Sequence, residues 1–199
     1  MLLPTARRVV EQLEADVRHC LLPISLKLER HEQLVVTSRI KDCESALEAL
    51  RRRQEGRSFD SDRADSYTLT ALNDLAGVRV LVFPRSRWWE ADRELRRERF
   101  ASWTPDPVPS SDPGGDPLAF KYFGFCSASA EVRGEVQIVP MLIGLFWQVE
   151  HSAMYKPSPD LKGVVESKEM DDLYTAVIRS LRAFEGEFER LIRRDPLSE

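Results

Sequence analysis

Apolar residues recur at helical spacing near the start of the chain. Val9, Val10, Leu13, Val17 and Leu21 have charged residues between them, which predicts an amphipathic helix over about residues 4–31. Pro23 should kink or split it, because its ring removes a donor and crowds the preceding turn. Residues 33–40, Gln-Leu-Val-Val-Thr-Ser-Arg-Ile, are rich in β-branched side chains and read as a short strand. A helix opening at Asp42 or Cys43 then runs through Ala46, Leu47, Ala49, Leu50 and Arg51–Arg53, with a stop near Gly56. Residues 57–68 are polar and irregular. Leu69 to Leu75 should form a helical turn leading into the apolar run Gly77–Phe83, which reads as a central strand covered on both faces and ended by Pro84.

Residues 86–100 alternate charge and bulk as a charged amphipathic helix does. Residues 103–117 hold five prolines and two glycines and read as a loop. Phe123 to Val132 reads as a strand, Gly134 as a hairpin turn, and Glu135–Val139 as an alternating strand. Met141 to Tyr155 is a strongly apolar helix, and Pro157 and Pro159 break the chain after it. A last helix over about 166–194 carries Leu173, Val177, Leu181, Phe184, Phe188 and Leu191 on one stripe. Strands separated by helices imply an α/β or α+β fold in one domain over residues 1–199, with a mixed sheet.

Composition narrows the classes. The chain has 199 residues, 42% hydrophobic and 31% charged, with a net charge of -4. That balance gives no support to a globally basic nucleic-acid binder, whose affinity rests on neutralising phosphates. No apolar run approaches the roughly 20 residues of a membrane span. The opening Met-Leu-Leu-Pro-Thr-Ala-Arg-Arg turns charged too early for a secretory signal. Cys20, Cys43 and Cys126 are scattered and odd in number, which argues against a disulfide framework or structural zinc. The expectation is a reduced, cytoplasmic protein without a membrane partner.

Several mechanisms drop out on motif grounds. There is no Gly-x-x-x-x-Gly-Lys loop, no Gly-x-Gly-x-x-Gly and no Gly-x-Ser-x-Gly, and His19, His31 and His151 lack metal-ligand spacing. What remains is polar residues at the ends of expected strands. Arg39 and Lys41, two apart, share one side of a strand end, and Ser45 follows where a helix begins. Cations beside a helix N-terminus suit a polyphosphate. Local pattern alone favours the plainer reading, a solvated strand end and an ordinary helix start. Asp74 precedes the central strand and Glu135 opens another. On neighbouring strands the two carboxylates could hold Mg²⁺, which takes one or two carboxylates plus substrate phosphates. Here too the residues alone favour a plainer reading, a turn cap and an exposed strand end.

Three blocks in order change that balance. Ser38-Arg39-Ile40-Lys41-Asp42-Cys43-Glu44-Ser45 resembles the Arg-x-Lys-x-x-x-Ser block of the RelA/SpoT family synthetase domain. Asp74-Leu75-Ala76-Gly77-Val78-Arg79-Val80 is similar to its Asp-(Ile/Leu)-Ala-Gly-(Ile/Val)-Arg-(Ile/Val) block. Glu135-Val136-Gln137-Ile138, followed by Phe146-Trp147, Glu150-His151 and Tyr155-Lys156, is similar to its third. The blocks span about residues 30–156 and resemble the small alarmone synthetases in particular. The resemblance implies a mixed five-stranded sheet flanked by helices, related to nucleotidyltransferases, and transfer of pyrophosphate from ATP to the ribose 3′-OH of GDP or GTP. It implies that Arg39 and Arg79 stack on adenine, Lys41 and Ser45 hold ATP phosphates, and Asp74 and Glu135 bind Mg²⁺. Glu135 would also help deprotonate the attacking hydroxyl. Lys121, Phe125, Gln137 and His151 would meet the acceptor.

The acceptor loop departs from the family. Where the family has Gly-Tyr-Arg-Ser-Leu-His, this chain has Gly124-Phe125-Cys126-Ser127-Ala128-Ser129, and Val139 stands for a further arginine. Phe125 can still stack on a purine. Two cations and a histidine are gone, so the resemblance leaves three readings open. They are a guanosine pyrophosphokinase, a toxic relative that modifies adenosine nucleotides or the tRNA 3′ end, and a non-catalytic nucleotide-binding module. Family C-terminal helices often mediate homo-oligomers, although packing of helix 166–194 on its own sheet is the favoured expectation.

Overall fold

The computed structural model describes residues 2–55, 68–97, 99–110, 115–154 and 159–194. Helix α1 (Leu2–Ser25) is continuous through Pro23. The proline lies in the last turn, so it removes only one hydrogen bond, and Leu26 N–H still reaches Leu22 O at 3.0 Å. Strand β1 (Gln33–Ile40) matches the β-branched run. Helix α2 (Cys43–Glu55) is N-capped by Asp42, whose Oδ1 accepts the Ser45 amide at 2.8 Å. After a 3₁₀ turn (Leu69–Ala71) come β2 (Ala76–Phe83), α3 (Arg85–Arg97), β3 (Thr104–Pro105), β4 (Phe120–Phe125) and β5 (Arg133–Pro140). Helices α4 (Met141–Met154), α5 (Pro159–Val165) and α6 (Lys168–Arg194) close the order. The expected stop at Gly56, the segment 57–67 and Tyr155–Lys156 lie outside the described residues.

The five strands form one mixed sheet in the order β1-β2-β5-β4-β3. Only β2 and β5 pair in parallel. Alternate residues of a strand face opposite sides. One side presents Val36, Val78, Val80, Val82, Val136, Ile138, Phe120 and Tyr122 to the apolar faces of α1 and α3. Trp88 of α3 is fully buried there, stacked on Phe120, and its indole N–H donates to Ile138 O at 2.9 Å. On the other side, Leu81 and Val139 are covered by Met141 and Ile143 of α4 and Ile178 of α6. The rest of that side is polar and lies open beside α4.

The structure corrects the sequence reading around β4. That strand is Phe120–Phe125, not 123–132. Residues 126–132 form the turn, where Ser129 Oγ accepts the amides of Glu131 and Val132 at 3.0 and 3.3 Å. Gly134 is not a turn residue but lies inside β5. A Cβ there would come within 2.9 Å of Leu13 and 3.1 Å of Trp103, so the glycine serves close packing. The proline-rich stretch is not all loop, since it holds β3 and a bridge between Val108 and Ala119. The last helix is preceded by α5, and Ser167 Oγ accepts the Met170 amide at 3.2 Å as a cap for α6. Cys20, Cys43 and Cys126 are free thiols. Among the described residues, no helix is long and apolar enough to cross a membrane.

Candidate functional site

Strand register builds the site. Arg39 pairs with Gly77, Gly77 with Glu135, Arg79 with Gln137, and Gln137 with Lys121. Residues two apart share a face, so these side chains leave the sheet on the side that α4 only partly covers. They line a cleft of about 510 Å³, whose opposite wall includes Trp147, Gln148, Glu150 and His151 of α4 and Tyr174 of α6. Gly77 leaves room for the Arg39 stem to cross β2, its added Cβ falling 3.6 Å from Arg39 Cγ.

The cleft floor is a hydrogen-bonded relay. Arg79 Nε donates to Gln137 Oε1 at 3.0 Å, and Gln137 Nε2 donates to Glu135 Oε1 at 2.7 Å. Glu135 and Gln137 are buried. Burial, helped by the nearby Arg39 guanidinium, holds the Arg79 guanidinium below its ordinary pKa, while Glu135 opposes that shift. Two guanidinium groups close enough to repel each other on an open face suit a π-rich or anionic ligand.

Lys41, Asp74 and Ser45 sit at the strand ends beyond Arg39, outside the residues that line the cleft. Lys41 N–H bonds Leu75 O at 2.9 Å, which carries the β1–β2 pairing one step further and sets Lys41 beside Asp74. The Lys41 ammonium and the Asp74 carboxylate form a direct, half-buried ion pair. Ser45 stands in the first turn of α2. Among the described residues, no group of three or more His, Cys, Asp or Glu is placed to hold a metal ion.

Of the residues expected to meet an acceptor, Lys121, Gln137 and His151 line the cleft and Phe125 does not. Phe125 shares the face of Glu135 but stands two ladder pairs further along. It lines separate hollows with Arg133, half exposed rather than packed into the core. The three positions at which this chain departs from the resemblance do not stand as open, unfilled contact sites. Val139 is fully buried under α4, Cys126 packs against the core, and the Ser129 hydroxyl is held by backbone amides. An arginine at 139 would therefore enter the apolar cluster.

Tyr174 was not legible as a site residue. The Trp147 indole N–H donates to its hydroxyl at 2.6 Å. Burial pushes the Tyr174 phenol up, and the Glu150 charge adds to that. The only signal in the sequence was an aromatic on a helix, which packing explains equally well.

No family model matches the sequence, and no curated protein matches it. Solved structures do match. The small alarmone synthetase 1 from Bacillus subtilis superposes with a TM-score of 0.64 at 17% identity, over 97% of this chain and 96% of that one. The same synthetase bound to AMPCPP gives 0.62 over 97% and 96%, again at 17% identity. A GTP pyrophosphokinase family protein from Streptococcus pneumoniae gives 0.61 at 19% identity, over 97% and 93%. The mixed five-stranded sheet flanked by helices is thus the fold of the small alarmone synthetases, along nearly the whole chain.

Proposed function

We propose that the chain is an ATP-dependent pyrophosphokinase that transfers pyrophosphate from ATP to the ribose 3′-OH of a guanosine nucleotide, GDP or GTP. The observation that carries this reading is the Arg79–Gln137–Glu135 relay, set beside Arg39 on one face of the cleft. Similar folds have been solved with AMPCPP and with the product pppGpp, which supports nucleotide partners.

Arg39 and Arg79 present planar cations to the adenine faces. Lys41 and Ser45 meet the ATP phosphates. The acceptor O3′ attacks the β-phosphorus, the bond from that phosphorus to the α-phosphate oxygen breaks, and AMP leaves. Glu135 takes the hydroxyl proton, with Gln137 holding its carboxylate in place. Lys121 and His151 line the cleft where the acceptor would lie. Positioning and charge neutralisation supply most of the catalysis in phosphoryl transfer.

Asp74 and Glu135 are hard oxygen donors of the kind Mg²⁺ takes. The Lys41–Asp74 pair fits that use, because incoming phosphates would draw the ammonium away and free the carboxylate for a cation. When bound, Mg²⁺ would neutralise phosphate charge beside these two residues.

A second reading has its own support. The Ser129 hydroxyl is held in its turn and Val139 is buried, so neither reaches an acceptor. That loss favours an acceptor with fewer phosphates, an adenosine nucleotide or the tRNA 3′ end. The test is incubation with γ-labelled ATP, Mg²⁺ and, separately, GDP, GTP, AMP, ATP and bulk tRNA. Label on GDP or GTP supports the first reading, and label only on adenosine nucleotides or tRNA supports the second. ATP binding without any labelled product would make the chain a non-catalytic nucleotide binder.

A further inference from the structure

The last ladder pair of β4 and β5 is Phe125 with Arg133. The Arg133 guanidinium carbon lies 5.2 Å from the Phe125 ring centroid. Its Nη1 donates to Asn73 Oδ1 at 3.0 Å, so the same guanidinium is tied to the neighbour of Asp74. Phe125 is 46% exposed, an unusual state for a strand phenylalanine. Both residues line two adjoining hollows of about 400 and 360 Å³. The pair stands two residues along the same sheet face from Phe123 and Glu135, or about 7 Å.

These features belong together. An open aromatic ring offers a stacking surface to any purine. A guanidinium fork offers two parallel donors. The O6 and N7 edge of guanine accepts both, whereas adenine presents an amino donor in place of O6. The acceptor loop carries no cation of its own, and Arg133 brings one to this end of the sheet from β5.

We propose that Arg133 determines the acceptor base: a guanine lies against Phe125 while the Arg133 fork donates to its O6 and N7. This rests on the pyrophosphokinase reading, since it takes the ribose to point along the strands toward Glu135. Asn73 orients the fork, and the ring below it sets the plane of the base.

The test is calorimetric titration of GDP and of ADP into the full chain saturated with a non-hydrolysable ATP analogue. The wild type should prefer GDP roughly tenfold. Arg133→Gln should lower GDP affinity about tenfold, toward that of ADP, with affinity for the ATP analogue unchanged. Arg133→Lys keeps the charge but not the fork, and should also lose the preference. In turnover, both variants should raise KM for the guanosine nucleotide more than they lower kcat. GDP binding unchanged in Arg133→Gln would overturn the proposal, as would equal loss of GDP and ATP analogue, the mark of a structural role. A wild type that binds the ATP analogue but not GDP overturns it while leaving the donor site standing. A wild type that binds neither overturns the pyrophosphokinase reading with it.

Discussion

Arg79 and Gln137 face each other across the parallel β2–β5 pair, joined by a 3.0 Å hydrogen bond, and Gln137 passes the contact on to Glu135 at 2.7 Å. The amide can bridge a guanidinium and a carboxylate because one end accepts and the other donates. Gln137→Leu removes both contacts while keeping similar bulk. It should lower kcat/KM about 10- to 100-fold, the loss of hydrogen bonds to charged groups at roughly 1.5–3 kcal/mol. Steady-state kinetics on the purified variant checks this, and an unchanged kcat/KM would remove the relay from the mechanism.

The donor half makes a separate prediction. Arg79→Ala should weaken ATP binding about tenfold, the scale of a lost cation–π contact in a partly desolvated site. Nucleotide titration of the folded variant measures it. Unchanged ATP affinity would count against adenine lying between Arg39 and Arg79.

Stability around β4 depends on a missing side chain. A Cβ on Gly124 would fall 2.5–2.7 Å from Trp103 ring atoms. That ring is buried and meets Phe100 edge to face. Gly124→Ala should cost about 1–3 kcal/mol through overpacking, read as a fall of several degrees in Tm. A variant as stable as the wild type would show that the ring moves aside freely.

Glu185 gives a pH-dependent prediction. It lies fully buried on α6, and its carboxyl group has no side-chain hydrogen-bond partner. Burial, with the Glu189 carboxylate adding, pushes its pKa up to about 7 from 4.5, against the pull of Arg85 and the Leu142 backbone amide. The folded chain therefore binds more protons than the unfolded chain between those values. Stability should be highest below about pH 4.5 as far as this group goes, fall as pH rises toward 7, and stay low above it. The expected difference is on the order of 3 kcal/mol. Denaturant unfolding at pH 5 and pH 8 measures it for the wild type and Glu185→Gln, and the variant should lose that part of the slope.

Much of this was legible because local chemistry and tertiary demand agreed. The β-branched run 33–40 is a strand with those limits, and the run ending at Phe83 is a central strand covered on both faces in its apolar part. Arg39, Arg79, Glu135, Gln137, Lys121 and His151, spread over more than a hundred positions, meet in one cleft because register brings them together. The failures came where a residue's reason lay elsewhere in the chain. Gly134 looked like a turn, but Leu13 and Trp103 require its small size. Tyr174 enters the cleft through its bond to Trp147, a partner that periodicity along α6 cannot reveal.

The central claim is pyrophosphoryl transfer with Glu135 as the group that takes the proton. The most direct measurement follows γ-labelled ATP with GDP or GTP and Mg²⁺, in the wild type and in Glu135→Gln. The account predicts label on the ribose 3′ position of the guanosine nucleotide, with AMP formed in equal amount. Glu135→Gln should still bind ATP but transfer at least 100-fold more slowly, the scale of a lost general base. Bound ATP with no AMP and no labelled nucleotide, or full activity in Glu135→Gln, would contradict it.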